Sequence, residues 1–281
     1  MQGMSEALKV LPTPFYLSDL EKIQSRTLYE KVFCEDTKRF VDYYYQYKIR
    51  DNEILALKED EQIVSMLHLN PYTMIVNGYE VESRYIVAVA THLDYRHRGY
   101  MRMLIERALK DLSAKKMPFT FLMPASEGIY APFDFVRICP YTSLSARIER
   151  MDEREQNRYL ASRYQMFCKR DMRYIENLKA EKVAEEGEEP IEKMPPYMAR
   201  ITDVCGMLSL VGSIEERVWY LRIKDSILRE NDGYFCWKLS KDESQAKKLS
   251  FVPEQVDLEL TIGELASMVF GNFRICLSEI V

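Results

Sequence analysis

What this sequence lacks narrows it first. No uninterrupted apolar run approaches the roughly 18 residues of a membrane span, and no basic-then-apolar leader opens the chain. The expectation is a cytoplasmic protein with no membrane partner. Basic residues are not in excess: 39 Lys and Arg stand against 44 Asp and Glu, a net charge of −5. That balance argues against a general nucleic-acid binder, which needs a basic face to neutralise phosphates. Histidine is scarce, with only His68, His92 and His97, and no CxxC pair or carboxylate–His spacing is present, so no metal is expected. The six cysteines (Cys34, Cys139, Cys168, Cys205, Cys236, Cys276) are scattered and read as free, mostly buried thiols. Glycine and proline are few, 10 and 11, and no internal repeat is found, which excludes low-complexity and repeat architectures.

What is present is an ordinary globular composition, 47% hydrophobic and 30% charged over 281 residues. That length accommodates two packed domains, since one core serves roughly 100–200 residues. Ser18-Asp19-Leu20-Glu21 reads as a capping box opening a helix that sends Leu20, Ile23, Leu28 and Val32 to a core. A tyrosine-rich helix is expected over 37–47, then short strands over 53–58, 62–69 and 73–76. Asn77-Gly78 marks a two-residue hairpin, because both positions tolerate positive φ. The strand leaving it ends in Tyr85-Ile86-Val87-Ala88-Val89-Ala90, an unbroken apolar run of the kind found in a central strand buried on both faces. A helix to about residue 116 follows, burying Leu104, Ile105, Ala108, Leu109 and Leu112. A strand over 119–123, a turn or short helix over 127–135 and a last strand over 142–150 complete an α+β first domain.

Residues 152–183 show one long polar helix with a thin stripe of Leu160, Tyr164, Phe167, Ile175 and Leu178, running into an acidic linker over 185–190. From Tyr197 a second small domain is expected: a helix near 204–210, strands over 218–227 and 234–239, and alternating Val256, Leu258, Leu260 and Ile262. Thr261 and Glu264 form a second capping box on a helix ending at Gly271, and 274–281 is β-like. The domains are thus 1–150, a helix and acidic linker over 151–195, and 196–281.

The informative chemistry lies at Arg96-His97-Arg98-Gly99-Tyr100-Met101, between the central strand and its helix. A loop feeding a helix N-terminus presents unpaired amides and the positive end of the helix dipole, an anion site. Gly99 allows close backbone approach and the arginines add charge-assisted hydrogen bonds. Arg96-x-x-Gly99 resembles the Q or R-x-x-G-x-G or A motif of the GNAT superfamily of N-acetyltransferases, with Met101 where the motif has Gly or Ala. Three further segments resemble its Eis (enhanced intracellular survival) branch. Thr91-His92 with Tyr95-Arg96 leads into the loop. Pro124-Ala125-Ser126-Glu127-Gly128-Ile129-Tyr130 is similar to the branch's Ser-Glu-Gly-x-Tyr segment. The chain closes on Glu279-Ile280-Val281 after a sterol-carrier-like domain. The resemblance covers roughly 15–150 and 195–281. It departs in the middle, where Eis proteins carry a second, degenerate GNAT lobe.

The resemblance implies an acetyl-CoA-dependent N-acetyltransferase acting on a primary amine, aminoglycoside-like or lysine-like, and a homo-oligomer, a hexamer in the family. Its cofactor residues would be Val87, Val89, Thr91, Arg96, His97, Arg98, Gly99, Tyr100, Met101 and Ser126. Tyr130 would protonate the leaving thiolate, a tyrosine pKa of about 10 lying near the thiol value of about 8.5. The terminal carboxylate of Val281 would take the amine's proton, and the apolar Ile275-Cys276-Leu277 and Ile280-Val281 make a docked tail plausible. Asp94 and Glu127 are either acceptor-side carboxylates or solvated residues. A catalytically inactive acyl-CoA-binding protein is the alternative. A lipid site in the second domain ranks last, for want of room.

Overall fold

The computed structural model describes residues 12–185, 194–241 and 243–280. In chain order the elements are β1 (Phe15–Tyr16), α1 (Arg26–Val32), α2 (Lys38–Tyr47), β2 (Glu53–Glu59), β3 (Gln62–Val76), β4 (Tyr79–Thr91) and α3 (Tyr100–Ala114). Then come β5 (Phe119–Leu122), α4 (Glu127–Tyr130), β6 (Val136–Cys139), α5 (Ala146–Glu149), α6 (Glu153–Ala161), β7 (Met166–Cys168) and α7 (Met172–Glu185). The chain closes with β8 (Tyr197–Ile201), α8 (Val204–Ser209), β9 (Arg217–Lys224), β10 (Gly233–Leu239), β11 (Gln245–Leu249), β12 (Leu258–Thr261), α9 (Ile262–Phe270) and β13 (Ile275–Cys276). The fold is α+β, with one large mixed sheet ordered β1-β2-β3-β4-β5-β8-β6 and a four-stranded sheet ordered β11-β10-β9-β12.

Alternation along the strands explains why both faces of the large sheet are covered. In β2, Leu55 and Leu57 join the core that includes Leu104, Ile105, Ala108 and Leu109 of α3, whereas Ile54 and Ala56 join Leu28, Tyr29 and Tyr44 of α1 and α2. Each such fully buried leucine is worth about 1.5–3 kcal/mol. Asn77 (φ 49) and Gly78 (φ 87) make the expected two-residue hairpin, with Val76 opposite Tyr79. The Thr261–Glu264 capping box forms as read.

Several expectations are corrected. Ser18 and Glu21 do bond to each other, but only a short turn over Lys22–Ser25 precedes α1, and Leu20 and Ile23 are exposed. The strands expected over 62–69 and 73–76 are one strand, β3. On one side its first half pairs with β2 and its last three residues with β7, so Pro71 falls between those two partners, while on the other side it stands opposite Arg84 of β4. The last strand of the first domain is not 142–150, which holds the short α5 around buried Ile148; β6 lies before it.

The single helix over 152–183 is two helices separated by β7. Phe167, read as part of a helical stripe, is buried in that strand. Its three residues are too few to show a period of two. The acidic linker reading falls mostly outside the described residues. Tyr197, where the second domain was expected to begin, opens β8, which lies antiparallel between β5 and β6 inside the large sheet. The two sheets meet there: Arg200 of β8 donates to the Phe133 carbonyl and pairs with buried Asp225 beyond β9.

Candidate active site

β4 and β5 are parallel and pair only at Tyr85–Phe121 and Ile86–Leu122. β5 then ends, while β4 runs on to Thr91. On its other side β4 has a bulge: the register with β3 shifts between Met66 and His68, and Ala88 takes φ 49. Val87, Ala88 and Val89 are therefore half-buried, correcting the expectation of a strand covered on both faces. The edge of β4 beyond Ile86 is open toward β5, and its backbone groups there are available to an extended ligand. Thr91 closes this stretch with its hydroxyl on Ser65 (2.8 Å).

Past Thr91 the chain makes one tight turn over Leu93–Tyr95 and enters the Arg96–Met101 loop. His97 (φ 62) and Gly99 (φ 81, ψ 5) are both left-handed, and Gly99 is the N-cap of α3 with no side chain capping the amides behind it. Left-handed residues interleaved with ordinary ones turn successive amides toward one concavity, which favours an anion. Arg96 and His97 are exposed there, Arg96 bonding only weakly to the Thr91 carbonyl (3.4 Å). Arg98 turns back: its guanidinium lies 4.6 Å from the Tyr95 ring centre, and Nη2 donates to the Asp94 carbonyl (2.8 Å). Tyr100 buries its ring and donates its hydroxyl to Glu59, while Met101 is half-buried.

Tyr130, at the end of α4, is 7% exposed and packs edge-on against Phe135 at 5.9 Å. Burial pushes its phenol up to about 12, wider of the thiol range than the ordinary value that motivated its choice. The same desolvation acts on a thiolate buried beside it, so the gap between the two narrows in the site. Ser126 is the exposed N-cap of that helix and makes no capping bond. Of the two carboxylates left open as acceptor ligands, Glu127 is engaged by Arg137 (2.5 Å) and the Asp94 side chain is 81% exposed.

The C-terminal segment enters the molecule rather than fraying. β13 runs parallel to β7, the Thr142 amide donates to the Leu277 carbonyl, and Leu277 is fully buried. Tyr85 donates its hydroxyl to the Ile280 carbonyl (3.1 Å), and Tyr197 donates to that of Glu279. The Glu279 carboxylate is buried against Arg170 (2.8 Å) and Tyr174 (2.6 Å). Tyr85, stacked on Phe121 at 4.9 Å, is the last β4 tyrosine before the strands part, so residues 279–280 lie beside the opening. Val281 lies outside the described residues.

A cavity of about 280 Å³ flanks the tail, walled by β3, the end of α2 and α7. Lys48, Asn70, Tyr174, Glu181 and Glu279 line its depth, and an Asp51–Arg173 ion pair lies on its wall. Burial holds the Lys48 ammonium below its ordinary value, and its Nζ donates to Tyr72 (3.0 Å). The Asn70 side chain is buried there. Sequence reasoning missed Tyr85, Tyr197, Arg170 and this cavity. Only Arg170, the second of two basic residues after the apolar triplet Met166-Phe167-Cys168, left a signal. Among the described residues no group of side chains is arranged to hold a metal, and no helix is long and apolar enough to cross a membrane.

Residues 16–138 match the family described as acetyltransferase (GNAT) domain, and residues 206–276 match the sterol carrier protein domain. No curated protein matches the sequence. Among solved structures, a GCN5-related N-acetyltransferase from Kribbella flavida is similar with a TM-score of 0.66 at 12% identity, over 92% of this chain and 90% of that one. Another from Anabaena variabilis has a TM-score of 0.65 at 15% identity, over the same shares. Eis1 from Mycobacterium abscessus has a TM-score of 0.59 at 13% identity, over 92% and 89%. At these identities the likeness is one of fold. The open β4 edge, the loop capped by Gly99 and these matches show a GNAT acetyltransferase fold, one that supports acyl transfer, with residues 16–138 similar to the GNAT acetyltransferase domain and residues 206–276 similar to the sterol carrier protein domain.

Proposed function

We propose that this protein is an Eis-type N-acetyltransferase that moves acetyl from acetyl-CoA to a primary amine by direct attack. The observation that carries the reading is the parting of β4 from β5 after Ile86, directly upstream of the loop capped by Gly99. The pyrophosphate of acetyl-CoA sits on the amides of Gly99, Tyr100 and Met101 with Arg96 and His97 beside it. Arg98 acts from its stacked position, holding the loop through Tyr95 and Asp94. The pantetheine arm runs along Val87, Val89 and Thr91, whose open backbone supplies donors to the arm and to the thioester oxygen. Ser126 borders the arm from the α4 side.

The amine enters from the cavity beside the tail, where Glu181 provides negative charge for a cationic acceptor of aminoglycoside-like or lysine-like chemistry. Its nitrogen lone pair attacks the thioester carbon, the C–S bond breaks as the tetrahedral adduct collapses, and Tyr130 gives its proton to the sulfur. The proton lost by the amine goes to the carboxylate of Val281, the residue after Ile280. The docking of 277–280 supports that assignment. The side chain of Val281 is not the functional group, so Val281→Leu is expected to be mild. Adding one alanine after it moves the carboxylate by about 3.5 Å, and misplacement by about 1 Å already costs on the order of 10² in rate. Turnover of the extended protein beside its thermal melt tests this. Full activity in a normally folded extension would remove Val281 from the mechanism.

A further inference from the structure

The tail is held in two chemically different ways. Tyr85 and Tyr197 donate to the backbone carbonyls of Ile280 and Glu279. A carbonyl looks the same at every residue, so these bonds hold the tail without fixing which residue sits where. The Glu279 side chain does fix it. Its Oε1 accepts from Arg170 Nη1 (2.8 Å) and from the Tyr174 hydroxyl (2.6 Å), while Arg170 Nη2 donates to Ser278 Oγ (2.8 Å). Both charged side chains are 1% exposed. Arg170 is itself pinned: its guanidinium lies 4.0 Å from the Tyr174 ring centre, and Asn157 of α6 bonds both its amide (2.9 Å) and its carbonyl (2.6 Å). The members of this grip that face the tail come from α6 (Asn157), the link between β7 and α7 (Arg170) and α7 (Tyr174).

We infer that Arg170 is a positioning residue for acyl transfer: through Glu279 it sets the register at which residues 278–280 lie against Tyr85, and so shapes the acceptor side of the reaction centre. The inference rests on the proposed reaction at the β4–β5 opening. It does not need Val281 to be the base. A buried ion pair is weak evidence for stability as such, because desolvating both charges offsets their attraction, and apolar replacements of similar volume are often neutral. Breaking the pair from one side leaves a bare buried charge, which tests folding more than register.

The informative variant is therefore the double replacement Arg170→Met with Glu279→Leu, with Ser278 and Tyr174 left to reach water. Three readouts are taken: melting temperature, the separate kcat and KM values for acetyl-CoA, and hydrogen exchange of the peptide covering 277–280. The expected result is a melt within a few degrees of the parent, faster exchange in that peptide, and an unchanged KM. The kcat is expected to fall by about 10², the effect of an error of about 1 Å in placement. A merely structural pair would leave kcat intact in the folded double variant, and that result overturns the inference. Should the parent release no thiol with any amine, the proposed reaction fails by itself. The exchange rate then decides alone: equal exchange in parent and double variant overturns the grip, and faster exchange in the double variant upholds it as the element that fixes the tail.

Discussion

Replacing Gly99 with alanine separates two costs that are usually confounded. Gly99 has φ 81 and ψ 5, and a Cβ built there meets nothing within 4 Å. The protein therefore imposes no steric penalty, and the cost is the left-handed backbone alone, about 1–2 kcal/mol for an L-residue. In a chain of this size that lowers the melting temperature by about 2–4 °C per kcal/mol. If the loop instead relaxes to escape the strain, the amides behind Gly99 turn from the concavity. Losing one hydrogen bond to a charged phosphate weakens acetyl-CoA binding by about 1.5–3 kcal/mol, or roughly 10- to 150-fold. Gly78 supplies the control, because it has φ 87, also meets nothing within 4 Å, and sits at the hairpin tip at the other end of β4. The assay is titration calorimetry with acetyl-CoA and a thermal melt on both variants. Gly78→Ala is expected to melt lower with affinity unchanged, and Gly99→Ala, whose loop relaxes, to melt closer to the parent and to lose affinity. Parental affinity in a Gly99→Ala protein that melts like the parent would refute the assignment of the phosphates to this loop.

Tyr130→Phe keeps the ring packed on Phe135 and deletes only the proton, so turnover is expected to fall by about 10² with acetyl-CoA affinity unchanged; near-parental turnover would move the acid role elsewhere. Because burial pushes Tyr130 up to about 12, it stays protonated through the alkaline range, and kcat/KM is expected to show no descending limb near the ordinary tyrosine value of about 10. A clear limb there would contradict a buried tyrosine as the acid. His68 is fully buried on Tyr44 (2.8 Å) and desolvation pushes it down to about 3, so the folded protein refuses a proton that the unfolded chain accepts near 6.5. Stability from this site is full above 6.5 and is lost as pH falls through the window toward about 3, a cost of about 2 kcal/mol by pH 5. Denaturant midpoints at pH 7 and pH 5 are expected to converge in His68→Gln, and an undiminished pH dependence in that variant would show that other groups carry it.

How much was legible in the sequence follows from the reach of each signal. Most signals contained within a few residues were read correctly, the Ser18–Glu21 box apart: the Asn77-Gly78 hairpin, the Thr261–Glu264 cap, the buried face of α3 and the strand–loop–helix around Gly99. Signals that depend on a distant partner were not. Pro71 looked like a strand end because the change of partner from β2 to β7 cannot be seen locally. Tyr197 looked like a domain start because β8 finds its neighbours across about 60 residues of chain in β6 and more in β5. The apolar run over Tyr85–Ala90 was read as doubly buried, since nothing in its composition marks where β5 stops. Tyr130 and the loop rested on motif resemblance, and the loop follows β4 directly where that strand runs past the end of β5. The grip of Arg170 on Glu279, spanning more than a hundred residues, had no sequence signal beyond a Lys169-Arg170 pair after an apolar triplet.

The most direct test of the account is turnover itself. The protein is incubated with acetyl-CoA and a panel of primary amines, lysine amides and amino sugars among them, while thiol release and product mass are followed together. The account predicts at least one amine that gains a single acetyl group in step with the thiol released, and loss of both signals in Tyr130→Phe. Tight acetyl-CoA binding with no thiol release above buffer on any amine would contradict it, and would leave an acyl-CoA-binding protein in a transferase fold.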